Sequence, residues 1–176
     1  MQSKLILIEG IPGSGKTTIA NKISAYYRDK GINAITYPEG EAHPADFGWI
    51  ACIPIERYSS LLTRYPQFAE DIKANTLIEH GYAMVAYLWV REKTKAFHDE
   101  MGSYEVYGRR VKWETFRDLH LSRWQTFGKS HSTKEEIAVF ECALLQNHIN
   151  ELLFFHNKDL VLTVWYKPLK TASILN

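Results

Sequence analysis

The segment Gly10-Ile-Pro-Gly-Ser-Gly-Lys16-Thr17 follows the apolar run Leu5 to Ile8 almost at once and fits the pattern G-x-x-x-x-G-K-[ST]. The apolar run predicts a buried strand, and the glycines predict a tight turn in which backbone N–H groups from Gly13 to Thr17 converge. Ile19, Ile23 and Tyr26 or Tyr27 then recur at helical spacing, and Asp29, Lys30 and Gly31 close that helix. Strand, loop and helix in this order aim the amides and the positive helix end at one point, where phosphate oxygens can be held. Lys16 reaches the same point as a charge, and the Thr17 hydroxyl is placed to ligate a magnesium ion bridging those phosphates. Gly10, Pro12, Gly13, Ser14, Gly15, Lys16, Thr17 and Thr18 are therefore the candidate nucleoside triphosphate contacts, with ATP and Mg2+ as the expected cofactors.

A chain of 176 residues with 45% hydrophobic content suits one domain, 1–176. The net charge of +1 steers nothing globally toward nucleic acid or an anionic membrane, so any anion binding has to be local. The longest apolar run, Tyr82 to Val90, is about half of what a membrane-spanning helix requires, and the N-terminus opens on a strand instead of a leader. A soluble cytoplasmic protein with no membrane partner is expected. Cys52 and Cys142 lie far apart without C-x-x-C spacing, which predicts two reduced, buried thiols. No histidine pair has the spacing of an H-E-x-x-H site, so no structural zinc is expected.

After the first helix a β-favouring run, Asn33 to Tyr37, and a turn-rich segment from Pro38 to Gly48 make a βαβ beginning, hence a parallel sheet. Ile55 to Arg64, Gln67 to His80 and Tyr82 to Phe97 read as helices, giving a helical insertion over about 55–128. His98 to Lys112 reads as a loop with a short basic run, and Trp113, Phe116, His120, Trp124 and Phe127 mark one face of a helix. Ser132 to Phe155 admits two readings. Ser132 and Glu135 can cap one long helix, whereas Ile137-Ala-Val-Phe140 suits a buried strand followed by a return helix through Leu144, Leu145, His148, Ile149 and Leu152. The strand is favoured, because the topology calls for a third parallel strand ending in an acid, here Glu141. Leu160 to Tyr166 reads as a fourth strand.

Leu7-Ile8-Glu9-Gly10 ahead of Gly13-Ser14-Gly15-Lys16-Thr17 resembles the opening of deoxynucleoside and thymidylate kinases of the P-loop NTPase superfamily. Phe140-Glu141-Cys142 through Leu145-Gln146-Asn147 is similar to uncharacterised bacterial P-loop kinases and ATPases. The resemblance implies a three-layer α/β P-loop fold with a mostly parallel sheet, and ATP- and magnesium-dependent phosphoryl transfer to a small-molecule acceptor, a nucleoside or nucleotide. In those kinases a Glu-Pro step after the second strand faces the acceptor. Here Pro38-Glu39 occupies that place with the order inverted, so Glu39 is the counterpart, with Glu41 as fallback. The acid-Arg pair that follows their third strand is replaced by Glu141-Cys142, and the arginine-bearing C-terminal lid is short or missing.

The expected chemistry is positioning and charge neutralisation. Lys16 acts on the phosphates, Thr17 and Glu141 hold magnesium, and Glu39 orients or deprotonates the acceptor unless it is a solvated turn acid. Arg109 and Arg110, with Lys112, either close over the transferred phosphate as lid cations or form a solvated basic run. His43 and Asp46 share the acceptor-side loop, and Arg123 either binds substrate or makes a surface ion pair. The alternatives to a kinase are a nucleotide-dependent switch or ATPase without an acceptor, and a degenerate nucleotide-binding chain. A guanine-specific switch is disfavoured, because Asn157-Lys158-Asp159 places its acid one position early for N-K-x-D. Phosphorylation of a polynucleotide end is disfavoured by the near-zero net charge.

Overall fold

The computed structural model describes residues 4–41, 43–92, 94–108 and 110–155. In chain order the elements are β1 (Lys4–Ile8), α1 (Lys16–Asp29), β2 (Ala34–Tyr37), β3 (Ile50–Pro54), α2 (Ile55–Arg64), a 3-10 turn (Pro66–Phe68) and α3 (Ala69–Ala74). They continue with β4 (Thr76–Glu79), β5 (Tyr82–Ala86), α4 (Lys95–Gly102), α5 (Trp113–His131), β6 (Ile137–Glu141) and α6 (Leu145–Asn150), which runs on as a wider turn over Glu151–Phe155. The fourth strand expected at Leu160 to Tyr166 lies outside the described residues. Among the described residues no helix is long and apolar enough to cross a membrane.

The chain divides into two compact units. One holds the described residues up to Asp46 and from Trp113 onward, and the other is Phe47–Lys112. In the first unit, β1, β6 and β2 form a parallel sheet with β6 in the centre, so the run Ile137-Ala-Val-Phe140 is a strand and not part of a long helix. Every residue of β6 is buried. Its two faces pack differently, as strand alternation requires. Ile137 and Val139 meet Ala20 and Ala34, with Ile23 and Tyr27 of α1 against them, while Ala138 and Phe140 meet Trp124 and Phe127 of α5. The face of α5 is the one its spacing predicts, with Trp113, Phe116, His120, Trp124 and Phe127 all buried.

Phe140 is the centre of an aromatic group, with ring centroids 4.2 Å from His43, 4.7 Å from Phe127, 5.2 Å from Tyr37 and 5.6 Å from Trp124. A Phe140→Ala variant is expected to lose about 3–5 kcal/mol of stability, because the rigid neighbours leave a cavity instead of closing over it. Denaturant unfolding of parent and variant measures this, and a loss under 1 kcal/mol is the contrary result.

The second unit corrects the expectation of a helical insertion over about 55–128. Only α2 matches it residue for residue. Gln67 to His80 contains a 3-10 turn, the short α3 and then β4, while Tyr82 to Phe97 opens as β5 and enters α4 only at Lys95. β3, β5 and β4 form an antiparallel sheet, and Ala51, Ile53, Ala83 and Val85 pack with Leu61, Phe97 and Met101. The hairpin turns on His80 and Gly81, both at positive φ, 50° and 79°. Two left-handed residues give the turn whose twist matches the flanking strands, and this pins Glu79 opposite Tyr82. His-Gly is a weaker turn signal than Asn-Gly, and the apolar run after it is too unbroken to show alternation. α4 also begins inside the presumed helix and ends inside the presumed loop, because Thr94 caps it by accepting from the Phe97 N–H at 3.3 Å.

Candidate functional site

The parallel register brings Ile8, Glu141 and Tyr37 to the same edge of the β1-β6-β2 sheet, since Ile8 pairs with Glu141 and Tyr37 with Phe140. That edge is the carboxyl end of all three strands, where ligands of open α/β sheets bind. The chain leaving β1 turns through Gly13 and Gly15, at φ 78° and 86°, and Gly15 is the residue from which α1 starts. Among the described residues no side chain caps α1. Its first N–H groups are therefore left to an external acceptor. At Gly10 a Cβ would stand 2.9 Å from Ser14 Oγ, so a side chain there requires the Ser14 hydroxyl to turn away.

Lys16 is buried and its Nζ donates to the Ile11 carbonyl at 3.2 Å, with Glu39 Oε2 at 3.6 Å. Desolvation works against the Lys16 charge, but the Cys142 sulfur and the Glu39 and Glu141 carboxylates outweigh it and raise its pKa above the ordinary 10.5. Thr17 Oγ1 donates to Glu141 Oε1 at 2.7 Å. Residues 124 positions apart in sequence are thus in direct contact at the strand ends. Glu141 is buried, whereas the Glu39 side chain is half exposed. Of the sequence-assigned residues, Gly10 to Thr18, Lys16, Thr17, Glu39 and Glu141 occupy one continuous patch of the first unit.

Three residues that pattern reading passed over hold this patch together. Glu9 accepts from the backbone N–H groups of Leu144 and Leu145 through Oε1, at 2.9 and 3.1 Å, and from Gln146 through Oε2, at 3.2 Å. Its carboxylate thereby ties the entry of the loop to the start of α6. Gln146 donates from Nε2 to Glu39 Oε1 at 2.8 Å and accepts the Cys142 thiol on Oε1 at 2.9 Å. Cys142 sits at φ 56° in the turn after β6, and its N–H donates to the Ile8 carbonyl at 3.1 Å. Burial, reinforced by Glu39, pushes its thiol up to about 11, so it stays protonated as a hydrogen-bond donor. Both cysteines are buried free thiols. The Ile-Glu-Gly triplet already contained Glu9, but no sequence signal distinguishes a cap for a helix 135 residues away.

Other assignments resolve differently. Arg109 lies outside the described residues. Arg110 belongs to the second unit, where its guanidinium bonds the Gly102 carbonyl and, at 3.5 Å, Glu105. His43, which shares the loop expected to face the acceptor, lies inside the first unit. It is buried against Phe140, its Nδ1 accepts from the Ala45 N–H at 3.1 Å, and burial together with the nearby Arg123 lowers its pKa to about 3. Asp46 Oδ1 accepts from Asn147 Nδ2 at 2.9 Å, and Arg123 donates to the His43 carbonyl at 3.4 Å, which gives both residues structural partners.

Beside the loop, a cleft of about 510 Å³ runs between Gly10, Ile11 and Pro12 and the α6 residues Leu145 and Ile149. It is of ordinary small-molecule size. The edge as a whole offers backbone donors, a buried ammonium, a hydroxyl paired with a carboxylate, and a half-exposed second carboxylate. This set suits a polyanion accompanied by a hard cation. No family model, curated protein or solved structure matches the chain.

Proposed function

We propose that the chain is a P-loop phosphotransferase that binds Mg-ATP on Gly10 to Thr18 and transfers the terminal phosphoryl group to a small-molecule acceptor, a nucleoside or nucleotide. The observation that carries this reading is the 2.7 Å contact of Thr17 Oγ1 with Glu141 Oε1 beside Lys16. A hydroxyl, a carboxylate and an ammonium from two distant segments meet at the start of α1.

The residues present fit magnesium. Among the described residues no three His, Cys, Asp or Glu side chains gather as a metal cage. Magnesium needs none, because it keeps several waters and takes one or two protein oxygens together with substrate phosphates. Thr17 and Glu141 are those oxygens, and the ion supplies neutralisation of phosphate charge when bound. Lys16 turns from the Ile11 carbonyl and Glu39 to the phosphate oxygens. Glu39, released from Lys16, accepts the proton of an acceptor hydroxyl as the hydroxyl oxygen bonds to phosphorus and the bond from phosphorus to ADP breaks. Gln146 keeps the Glu39 carboxylate in place through that exchange.

The test is ADP release from Mg-ATP with a panel of nucleosides, nucleotides and small metabolites, following products by mass. Acceptor-dependent ADP with a matching phosphorylated product is expected, and Glu39→Gln should slow transfer to a hydroxyl acceptor by about 10²-fold or more. An unchanged rate removes Glu39 as the base. Turnover that depends on Lys16 but yields no phosphorylated product replaces the kinase by a switch or ATPase.

A further inference from the structure

The second unit contains a cleft of its own, about 280 Å³, which the proposed phosphoryl transfer does not use. α2 presents Arg57, Leu61 and Arg64 to it, at i, i+4 and i+7, the spacing of one helix face. Leu61 and Ile53, 3% and 1% exposed, give it an apolar floor. Glu100 and Tyr104 line it as well.

The charges in this cleft do not cancel. Arg64 is paired with Glu100 Oε1, and the Tyr65 hydroxyl donates to Glu100 Oε2 at 2.9 Å, so both oxygens of Glu100, the only acid among the described residues lining the cleft, are engaged within the unit. Arg57, among the described residues, makes no hydrogen bond or ion pair. One guanidinium is thus left over, with its planar fork of donors, beside the Ser60 hydroxyl and above an apolar floor. A guanidinium fork matches the paired oxygens of a carboxylate or phosphate. The volume lies just below the usual range of about 300–1,000 Å³ for ligand pockets, which limits the occupant to a small molecule.

We propose that the cleft of Arg57, Ser60 and Arg64 is a binding site for a small organic anion, a phosphate or carboxylate carried on a compact apolar body, with Arg57 as its principal contact. This goes beyond the nucleotide reading and needs nothing from the Gly10–Thr18 loop. Lys16→Ala therefore separates the two. Arg57 is exposed and, among the described residues, unpaired, so Arg57→Gln is expected to leave the fold intact.

The experiment titrates phenyl phosphate, benzoate and neutral phenol into the isotope-labelled full chain and follows the backbone amides of residues 57–64 by NMR. Saturable shifts with either anion are expected in the parent chain and equally in Lys16→Ala, weakened about tenfold or more in Arg57→Gln. Tighter binding of phenyl phosphate assigns a phosphate ligand, and tighter binding of benzoate a carboxylate. The proposal is overturned if neither anion gives saturable shifts at these amides, if phenol matches the anions, or if Arg57→Gln binds as the parent does. If Lys16→Ala abolishes ATP turnover while the shifts persist, the two sites are independent. If ATP turnover proves absent and the shifts persist, only the nucleotide reading falls.

Discussion

A Lys16→Ala variant is expected to fold as the parent chain does and to lose about 10²–10³-fold in Mg-ATP turnover. The size follows from where the ammonium sits. Lys16 is 7% exposed at the carboxyl edge of a parallel sheet, at the start of a helix that has no side-chain cap among the described residues. Charge developing on a transferred phosphate there meets a preorganised cation instead of water, and removing that cation forfeits most of its interaction with the transition state. The fold is spared for a separate reason. The partner left behind, Glu39, is half exposed and keeps its bond from Gln146, so its charge stays solvated. Lys16→Met, which retains the apolar stem, should match Lys16→Ala in turnover while restoring any lost packing. Turnover within threefold of the parent in both variants rejects the loop as the reacting site, and a lowered midpoint of unfolding in the alanine variant alone identifies a packing effect.

The residues that surround Lys16 show why some of this site was legible in the chain and some was not. The loop is local. Its glycine spacing, the strand before it and the helix after it fall within Leu5 to Tyr27, so hard-sphere backbone limits and helical periodicity suffice to read it. Glu141 was legible at one remove, because an unbroken apolar run ending in an acid fits a central parallel strand, and β6 is that strand. Gln146 and Glu9 were not legible. Each acts through hydrogen bonds to partners more than a hundred positions away, and neither its type nor its spacing marks it out. The second unit failed for a different reason. Its strands are short, and β5 is buried along its central residues, so the alternation that separates a strand from a buried helix is missing. What decides the matter is the positive φ at His80, a choice made by the tertiary fold.

Four histidines of the first unit, His43, His120, His131 and His148, are buried, and acid should find three of them. His43, His120 and His148 are buried, and each has a pKa below its ordinary 6.5. Burial lowers His43 to about 3, with the nearby Arg123 adding to it. Burial lowers His148 to about 4 against the pull of the Leu144 carbonyl, and burial also lowers His120, assisted by His148, whose ring centroid is 4.8 Å away. The folded unit therefore holds His43 and His148 neutral at pH 5, while the unfolded chain protonates histidines below pH 6.5. Because the unfolded state binds the extra protons, stability is fully present above pH 6.5 and is lost as the pH falls toward the folded values. At pH 5 His43 and His148 account for about 2 kcal/mol each, about 4 kcal/mol together, and His120 adds in the same direction. That is a large share of the whole stability of a small domain, roughly 5–15 kcal/mol. Guanidinium unfolding at pH 7.5 and 5.0 measures the loss. His120→Phe, placed beside the Phe116 ring at 4.4 Å, should diminish the loss, since one titrating ring is gone and an apolar one takes its place. Equal stability at both pH values, or an undiminished loss in His120→Phe and in His43→Phe, contradicts the assignment of the acid response to these rings.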